Sequence, residues 1–289
     1  MAVGWHPTRR LLVAAALAIV ASGSVAGGAM AQSNTGNVSF STGANFSHAY
    51  FFRGIVQERQ GLIAQPYIDV TFNLFEGTEG LTSVGLTVGQ WNSLHTGPTG
   101  GEGPAANVAT WYESDFYAGF AFGVDNWDFG ITYSAYLSPN DSFGSIKEMS
   151  LSLGVDDSAL LGGFSVSPHV LLAIELGGQA DGGAGEGVYV EFGVEPGLTL
   201  QRIPVSVSFP VTLGLSLTDY YEQPPGNDNA YGFLGLGIVA STPVPLPESY
   251  GAWEISGGVH LLSFGDALTT LNGGDDRQAV GTLGFNIEY

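Results

Sequence analysis

From residue 37 to its end the chain repeats one theme: a run of alternating apolar and polar positions, closed by Gly, Asn, Asp or Pro. Val38, Phe40, Thr42, Ala44 and Phe46 fall on one side of such a run, with Asn37, Ser39, Ser41 and Asn45 on the other. Ile68, Val70, Phe72 and Leu74 alternate with Tyr67, Asp69, Thr71 and Asn73, and Val84, Leu86 and Val88 alternate with Ser83, Gly85, Thr87 and Gly89. Successive side chains of a β-strand point to opposite faces, so a period of two predicts a strand with one apolar and one polar face.

The middle of the chain is clearer still. Tyr112, Phe116, Ala118, Phe120 and Phe122 oppose Glu113, Asp115, Tyr117 and Gly119. After Asp125-Asn126 the alternation resumes, with Trp127, Phe129, Ile131, Tyr133 and Ala135 against Asp128, Gly130, Thr132 and Ser134. Two such runs joined by two turn-forming residues predict a tight hairpin. Further runs begin near Met149, Phe164, Val188, Val205, Leu234 and Trp253, and the last one ends the chain. The total is about twelve strands, each using about 21 residues with its connection, enough for the ~9–11 that cross a bilayer plus a turn. The stretches Leu94 to Ala109, Gly177 to Gly187, Asp219 to Ala230 and Asp266 to Asp276 are rich in Gly, Pro, Asn and acids and read as long loops, with short turns between them.

Composition narrows the fold class. Of the 289 residues 44% are hydrophobic and 12% charged, a surface poorly suited to water alone. Yet past the N-terminal segment there is no run of the ~18 apolar residues that a membrane helix needs. Apolar surface without apolar runs predicts an all-β, antiparallel transmembrane β-barrel of about twelve strands, in which lipid-facing and lumen-facing residues alternate. A soluble β-sandwich shares the short alternating strands, but Lys and Arg are too scarce here for its outer faces. The one long apolar run has Arg9 and Arg10 before Leu11 to Val20 and ends at Ala29-Met30-Ala31, which reads as a signal peptide over 1–31, cleaved near Ala31, leaving a barrel over 32–289. Its removal takes two of seven basic residues and none of 27 acids, leaving a formal charge of −22. Such a charge excludes nucleic acid as a partner. The absence of cysteine excludes disulfides and thiolate chemistry.

The chain ends with Thr282, Gly284, Ile287 and Tyr289 spaced as polar-x-Gly-x-x-apolar-x-aromatic. This resembles the C-terminal assembly signal of bacterial outer-membrane barrels, and the resemblance implies the outer membrane as location, with its lipid and the barrel-assembly machinery as partners. A second stretch, Tyr50-Phe51-Phe52-Arg53-Gly54-Ile55 followed by Gln57, resembles the Y-x-F-R-G-I-x-Q signature of a bacterial family of outer-membrane proteins. Gln65-Pro66-Tyr67-Ile68-Asp69-Val70 is similar to the strand that follows that signature, and Glu113, Asp115, Tyr117, Asp128 and Tyr133 fall where the family carries acids and tyrosines. The resemblance covers roughly residues 37 to 155. No reaction is established for the family, so it implies architecture and location rather than an activity.

Among residues that could carry chemistry, Arg53 is the most pointed, a rare cation among aromatics. One reading places it in the lumen, paired with Glu113, Asp115 or Asp128; the other has it snorkelling at the membrane interface. Glu113 and Asp115, two apart, share a face, and charge facing lipid near the midplane costs about 2 kcal/mol or more, so both are expected to point inward. Ser167/His169 and Ser256/His260 offer Ser–His combinations, but without a Gly-x-Ser-x-Gly elbow no enzyme is expected. Gly232 to Gly237 lacks the helix and Lys of a phosphate loop, and no cofactor is expected. Acidic turns such as Asp181-Gly182-Gly183 and Gly273-Gly274-Asp275-Asp276 are candidate sites for divalent cations, although neither follows a calcium-loop pattern. The functional expectation is a small, cation-preferring pore, with a closed structural or interaction barrel as the alternative.

Overall fold

A computed structural model describes residues 36–101, 110–157, 164–200 and 202–289. Segment 1–31 and its cleavage site lie outside the described residues, as do residues 102–109 of the Gly-rich stretch up to Ala109. The strands are β1 (Val38–Ser47), β2 (Tyr50–Phe52), β3 (Ile55–Glu58), β4 (Ile63–Glu76), β5 (Leu81–His95), β6 (Trp111–Val124), β7 (Trp127–Leu137) and β8 (Ile146–Val155). They continue as β9 (Phe164–Ser165), β10 (His169–Gly177), β11 (Val188–Val194), β12 (Gly197–Thr199), β13 (Ser206–Ser208), β14 (Val211–Thr218), β15 (Tyr231–Val244), β16 (Ala252–Phe264) and β17 (Arg277–Glu288).

Twelve of them close into an antiparallel barrel in the order β1, β4, β5, β6, β7, β8, β10, β11, β14, β15, β16, β17. The seam joins the chain's two ends. Ser41 stands opposite Glu288 and Ser47 opposite Thr282, and Phe40 and Tyr289 exchange both backbone hydrogen bonds at 2.8 Å. Closure leaves the ring of twelve without an open edge, which matters because an unpaired backbone group has no partner in hydrocarbon. The connections 48–62, 96–110, 138–145, 178–187, 219–230 and 265–276 all emerge at one rim, the loop rim. The start of β1, the end of β17 and the turns 77–80, 125–126 and 245–251 lie at the other.

Side-chain direction follows the alternation of the sequence. Phe72, Val88, Phe116, Phe120, Ile131, Leu236, Ile255 and Leu283 point outward and are exposed. The opposite faces, with Thr87, Asp115, Thr132, Ser134, Ser150 and Ser216, point into the barrel and are buried. Several bulges interrupt the period, and two departures change the reading of the sequence. Near the loop rim the β5–β6 register shifts between Ser93 and Leu94, and this bulge turns Tyr112 inward, whereas strict alternation puts it with the outward Phe116. At the turn rim the runs predicted from Phe164, Val188 and Val205 are each broken, at Pro168, Pro196 and Pro210, because proline gives the ladder no N–H. Below these breaks β9, β12 and β13 form a small extension that hangs on β15.

Candidate functional site: a hairpin across the barrel mouth

The first loop, 48–62, folds into the lumen instead of away from it. Apolar residues run together on either side of Arg53-Gly54, as Tyr50-Phe51-Phe52 and Ile55-Val56, and β2 and β3 pair with each other as a two-stranded sheet. The turn is Arg53-Gly54, with φ of 46° and 84°. Two left-handed central residues suit the twist of a two-residue hairpin. Gly54 has no room for a side chain either, since a Cβ there would lie 2.6 Å from Leu268 Cδ1 and 3.0 Å from the Phe233 ring.

The two faces of the hairpin fill opposite halves of the mouth. Tyr50 and Phe52 pack with Ile63, Trp91, Tyr112, Tyr136 and Ile146, from the β4–β8 side. Ala49, Phe51 and Ile55 pack with Leu171, Tyr189, Phe233, Phe264, Leu268 and Val280, from the β10–β17 side and the short helix Asp266–Leu271. The tip then reaches β8, five strands round the ring from β1. There the Arg53 guanidinium donates to both carboxylate oxygens of Glu148, at 2.5 and 2.8 Å, and to the Tyr220 hydroxyl at 2.7 Å. It also lies 4.5 Å from the centre of the Tyr189 ring and 5.0 Å from that of Phe52. Arg53 is 3% exposed and Glu148 2%, so this is a bidentate ion pair removed from water. The tip's backbone is held as well: Tyr221 donates its hydroxyl to the Arg53 carbonyl at 2.8 Å. Asn272 donates to the Gly54 carbonyl and accepts from the Val56 amide, each at 2.9 Å.

At the hairpin's base Glu58 accepts from the amides of Arg59 and Gln60 and from both the amide and hydroxyl of Thr99, at 2.7–2.9 Å. Burial alone pushes the Glu58 carboxyl up, but these donors outweigh it and hold the group below its ordinary range. Thr99 also bonds His95 Nδ1 at 2.7 Å, His95 Nε2 bonds Ser93 at 2.7 Å, and the imidazole stacks on Tyr112 with ring centres 4.3 Å apart. Ser93 and His95 are fully buried, so this hydrogen-bonded chain ties the end of β5 to the base of the hairpin.

The residues expected to form one lumen network are thus divided. Arg53 and the inward-facing Glu113 and Asp115 stand at the same rim, but Arg53 pairs with Glu148 and not with either of them. Glu113 instead accepts the Tyr50 hydroxyl at 2.9 Å. Asp128 stands opposite Gly123 and Gly154 at the far end of β7, about 26 Å along the strand from Tyr136 at ~3.3 Å per residue. Glu148 was absent from the expectation because the strand was read from Met149; its spacing with Ser150 and Ser152 on the polar face is the signal that finds it. In the acidic loops, the Asp181 carboxylate accepts the amides of Gly183 and Glu222, and Glu222 accepts those of Ala184, Gly185 and Gly226, so these acids order their own loops. Burial pushes the Asp181 carboxyl up, against the pull of those amides. Asp275 pairs with Arg59. Of the assembly-signal positions, Thr282 and Gly284 lie on the inward face of β17, while Ile287 and Tyr289 share the outward side with Leu283.

Below the hairpin the lumen lining becomes polar. Its inward positions are mostly Gly, Ser and Thr, with Asp69, Glu195, Glu254 and His260, and carry no Lys or Arg among the described strand residues. Four inward rings each lie over a glycine directly opposite on the neighbouring strand: Tyr67 over Gly43, Tyr117 over Gly89, His169 over Gly193 and His260 over Gly237. Tyr117 also donates its hydroxyl to Asp69.

No family model matches the chain, and no curated protein is similar to it. Among solved structures, the NanC porin is 10% identical, with 86% of this chain and 98% of that one covered and a TM-score of 0.39. The beta domain of the Bordetella autotransporter BrkA is 13% identical, covering 86% and 98% with a TM-score of 0.41. The translocator domain of the autotransporter NalP from Neisseria meningitidis is 12% identical, covering 88% and 89% with a TM-score of 0.38. The barrel described above rests on the strand pairing of this chain alone.

Proposed function

We propose that this chain is an outer-membrane barrel whose outward mouth is closed by its own first loop, and that its resting state does not conduct. The membrane assignment is supported by the outward face. Ile238, Val259, Leu261 and Leu283 are each more than half exposed, within a belt far larger than the ~300–600 Å² patches of soluble proteins. Trp111 and Trp127, exposed at the two ends of their strands, suit the two membrane interfaces. The observation that carries the closed state is the hairpin itself, packed on both halves of the wall and latched by Arg53 to Glu148.

The pore reading becomes a property of the barrel beneath the latch. A twelve-stranded wall is wider than the filled eight-stranded barrels. This one is lined below the hairpin by small polar groups and carboxylates, so with the hairpin withdrawn it would pass small cations in preference to anions. Planar-bilayer recording across a salt gradient tests both halves. The wild type is expected to show no steady current, and a variant with residues 49–60 replaced by a Gly/Ser linker is expected to open with a cation-selective reversal potential. Steady wild-type conductance would overturn the closed mouth. A folded linker variant that stays silent would overturn the pore beneath it.

A further inference from the structure

On the outer side of the hairpin the loop rim encloses a cavity of about 390 Å³, at the small end of the ~300–1,000 Å³ typical of small-molecule sites. Its walls come from six parts of the chain: Phe52 from the hairpin, Glu113 from β6, Tyr136 from β7, Phe143 from the loop after it, Ile146 from the start of β8, and Asp181 from the loop 178–187. Among the described residues no Lys, Arg or His lines it. The Phe52 and Tyr136 rings meet edge to face, 5.2 Å apart at 65°, and make a corner. Phe143 leans on Tyr112 at 5.3 Å and closes the side.

The charge in this cavity has one sign. Glu113 accepts the Tyr50 hydroxyl on one oxygen. Asp115, on the same face and fully buried, meets no hydrogen-bond donor on either carboxyl oxygen, so its one possible bond is a proton shared with Glu113. Arg53, the nearest buried cation, is already committed to Glu148. Asp115 lies behind the cavity wall, and with one proton shared the pair carries a single negative charge, which Glu113 presents beside the aromatic faces; it attracts positive charge because the ring quadrupole and the carboxylate act in the same sense. A bare metal ion does not fit, because it needs several oxygens at once. Among the described residues no three His, Asp or Glu side chains come together, and aromatic walls cannot replace a hydration shell.

The geometry points to a binding site for a small organic cation, an ammonium group on a compact apolar body, with the charge at Glu113 and the body between Phe52, Tyr136 and Phe143. Asp181 adds negative potential at the entrance, although its own oxygens are held by backbone amides. Since Phe52 forms part of the wall, the site exists while the hairpin is seated. A seated hairpin does not require the site to bind, so this outcome is read separately from the current.

The test is calorimetric titration of the refolded, full mature protein in detergent with benzylammonium, and with benzyl alcohol and benzoate as neutral and anionic counterparts. Saturable binding of benzylammonium is expected, weakened about tenfold or more for benzyl alcohol and lost for benzoate. Glu113→Gln is expected to remove the preference for the cation. Because that substitution sits in the wall and can impair folding, Phe143→Ala, on a loop, is the second variant, expected to bind the cation about fivefold more weakly. Benzyl alcohol bound as tightly as benzylammonium, no saturable binding of the cation, or undiminished binding by Phe143→Ala would each overturn the assignment.

Discussion

Arg53 bears two costs at once. Its backbone is left-handed, at about 1–2 kcal/mol for a residue with a side chain, and its guanidinium is out of water. Both are offset by partners: the guanidinium bonds Glu148 and Tyr220, and the Arg53 and Gly54 carbonyls accept from Tyr221 and Asn272. Removing one side of a buried pair leaves the other charge unmatched, so Arg53→Ala is expected to lower the stability of the refolded protein by about 3–5 kcal/mol in urea titration. The apolar double replacement Arg53→Met with Glu148→Leu should lose clearly less than the two single losses combined. Additive losses would show that the two charges are not coupled. Glu58 gives a pH test. Its folded carboxyl lies below its unfolded value of about 4.3, so its contribution is complete above that pH and is lost as pH falls through the folded value. The stability difference between wild type and Glu58→Gln should therefore shrink on acidification from pH 5 towards about pH 3; a constant difference would contradict that role. The importance of Arg53 was legible in the sequence from its rarity and aromatic setting. Its partner was not, because Glu148 lies 95 residues away on a strand whose start the alternation leaves open.

The wall elements were legible almost strand by strand, since period-two alternation fixes both the strand and its inward face. The pairing of β6 with β7 through Asp125-Asn126 follows the predicted hairpin, with Trp127 opposite Val124. The departures have local physical causes: proline in three neighbouring runs, and one extra residue at Tyr112. The hairpin β2–β3 was not legible as an inserted element. Its short apolar runs lack the period of two that marks a strand, and Arg-Gly is not the Asn-Gly or Asp-Gly pair that announces a two-residue turn. Also hidden was the pairing of wall glycines with facing rings, which requires the register. Gly89 stands opposite Tyr117, and a Cβ there would meet the phenol ring. Gly89→Val is expected to cost about 1–3 kcal/mol by overpacking, and Tyr117→Ala in the same chain should return part of the loss. If Gly89→Val folds with unchanged stability, the ring does not occupy that space in the native barrel.

At the scale of the whole molecule the same alternation serves two ends of the barrel differently. Towards the turn rim the inward faces are mostly small and polar. Towards the loop rim they carry Trp91, Tyr136, Tyr189 and Phe233, and the first loop supplies the apolar hairpin that fits between them. Closure is therefore built from residues of nearly every wall strand. It would be lost cooperatively once the latch and the Asn272 clamp are released. The most direct measurement is hydrogen exchange, resolved by residue, of the refolded protein in lipid bilayers. The amides of residues 50–58 are expected to be protected to the level of the wall strand β6 and to exchange far more slowly than the exposed loop residues 78–79. Exchange of residues 50–58 as fast as that loop would contradict a seated hairpin and leave the barrel mouth open.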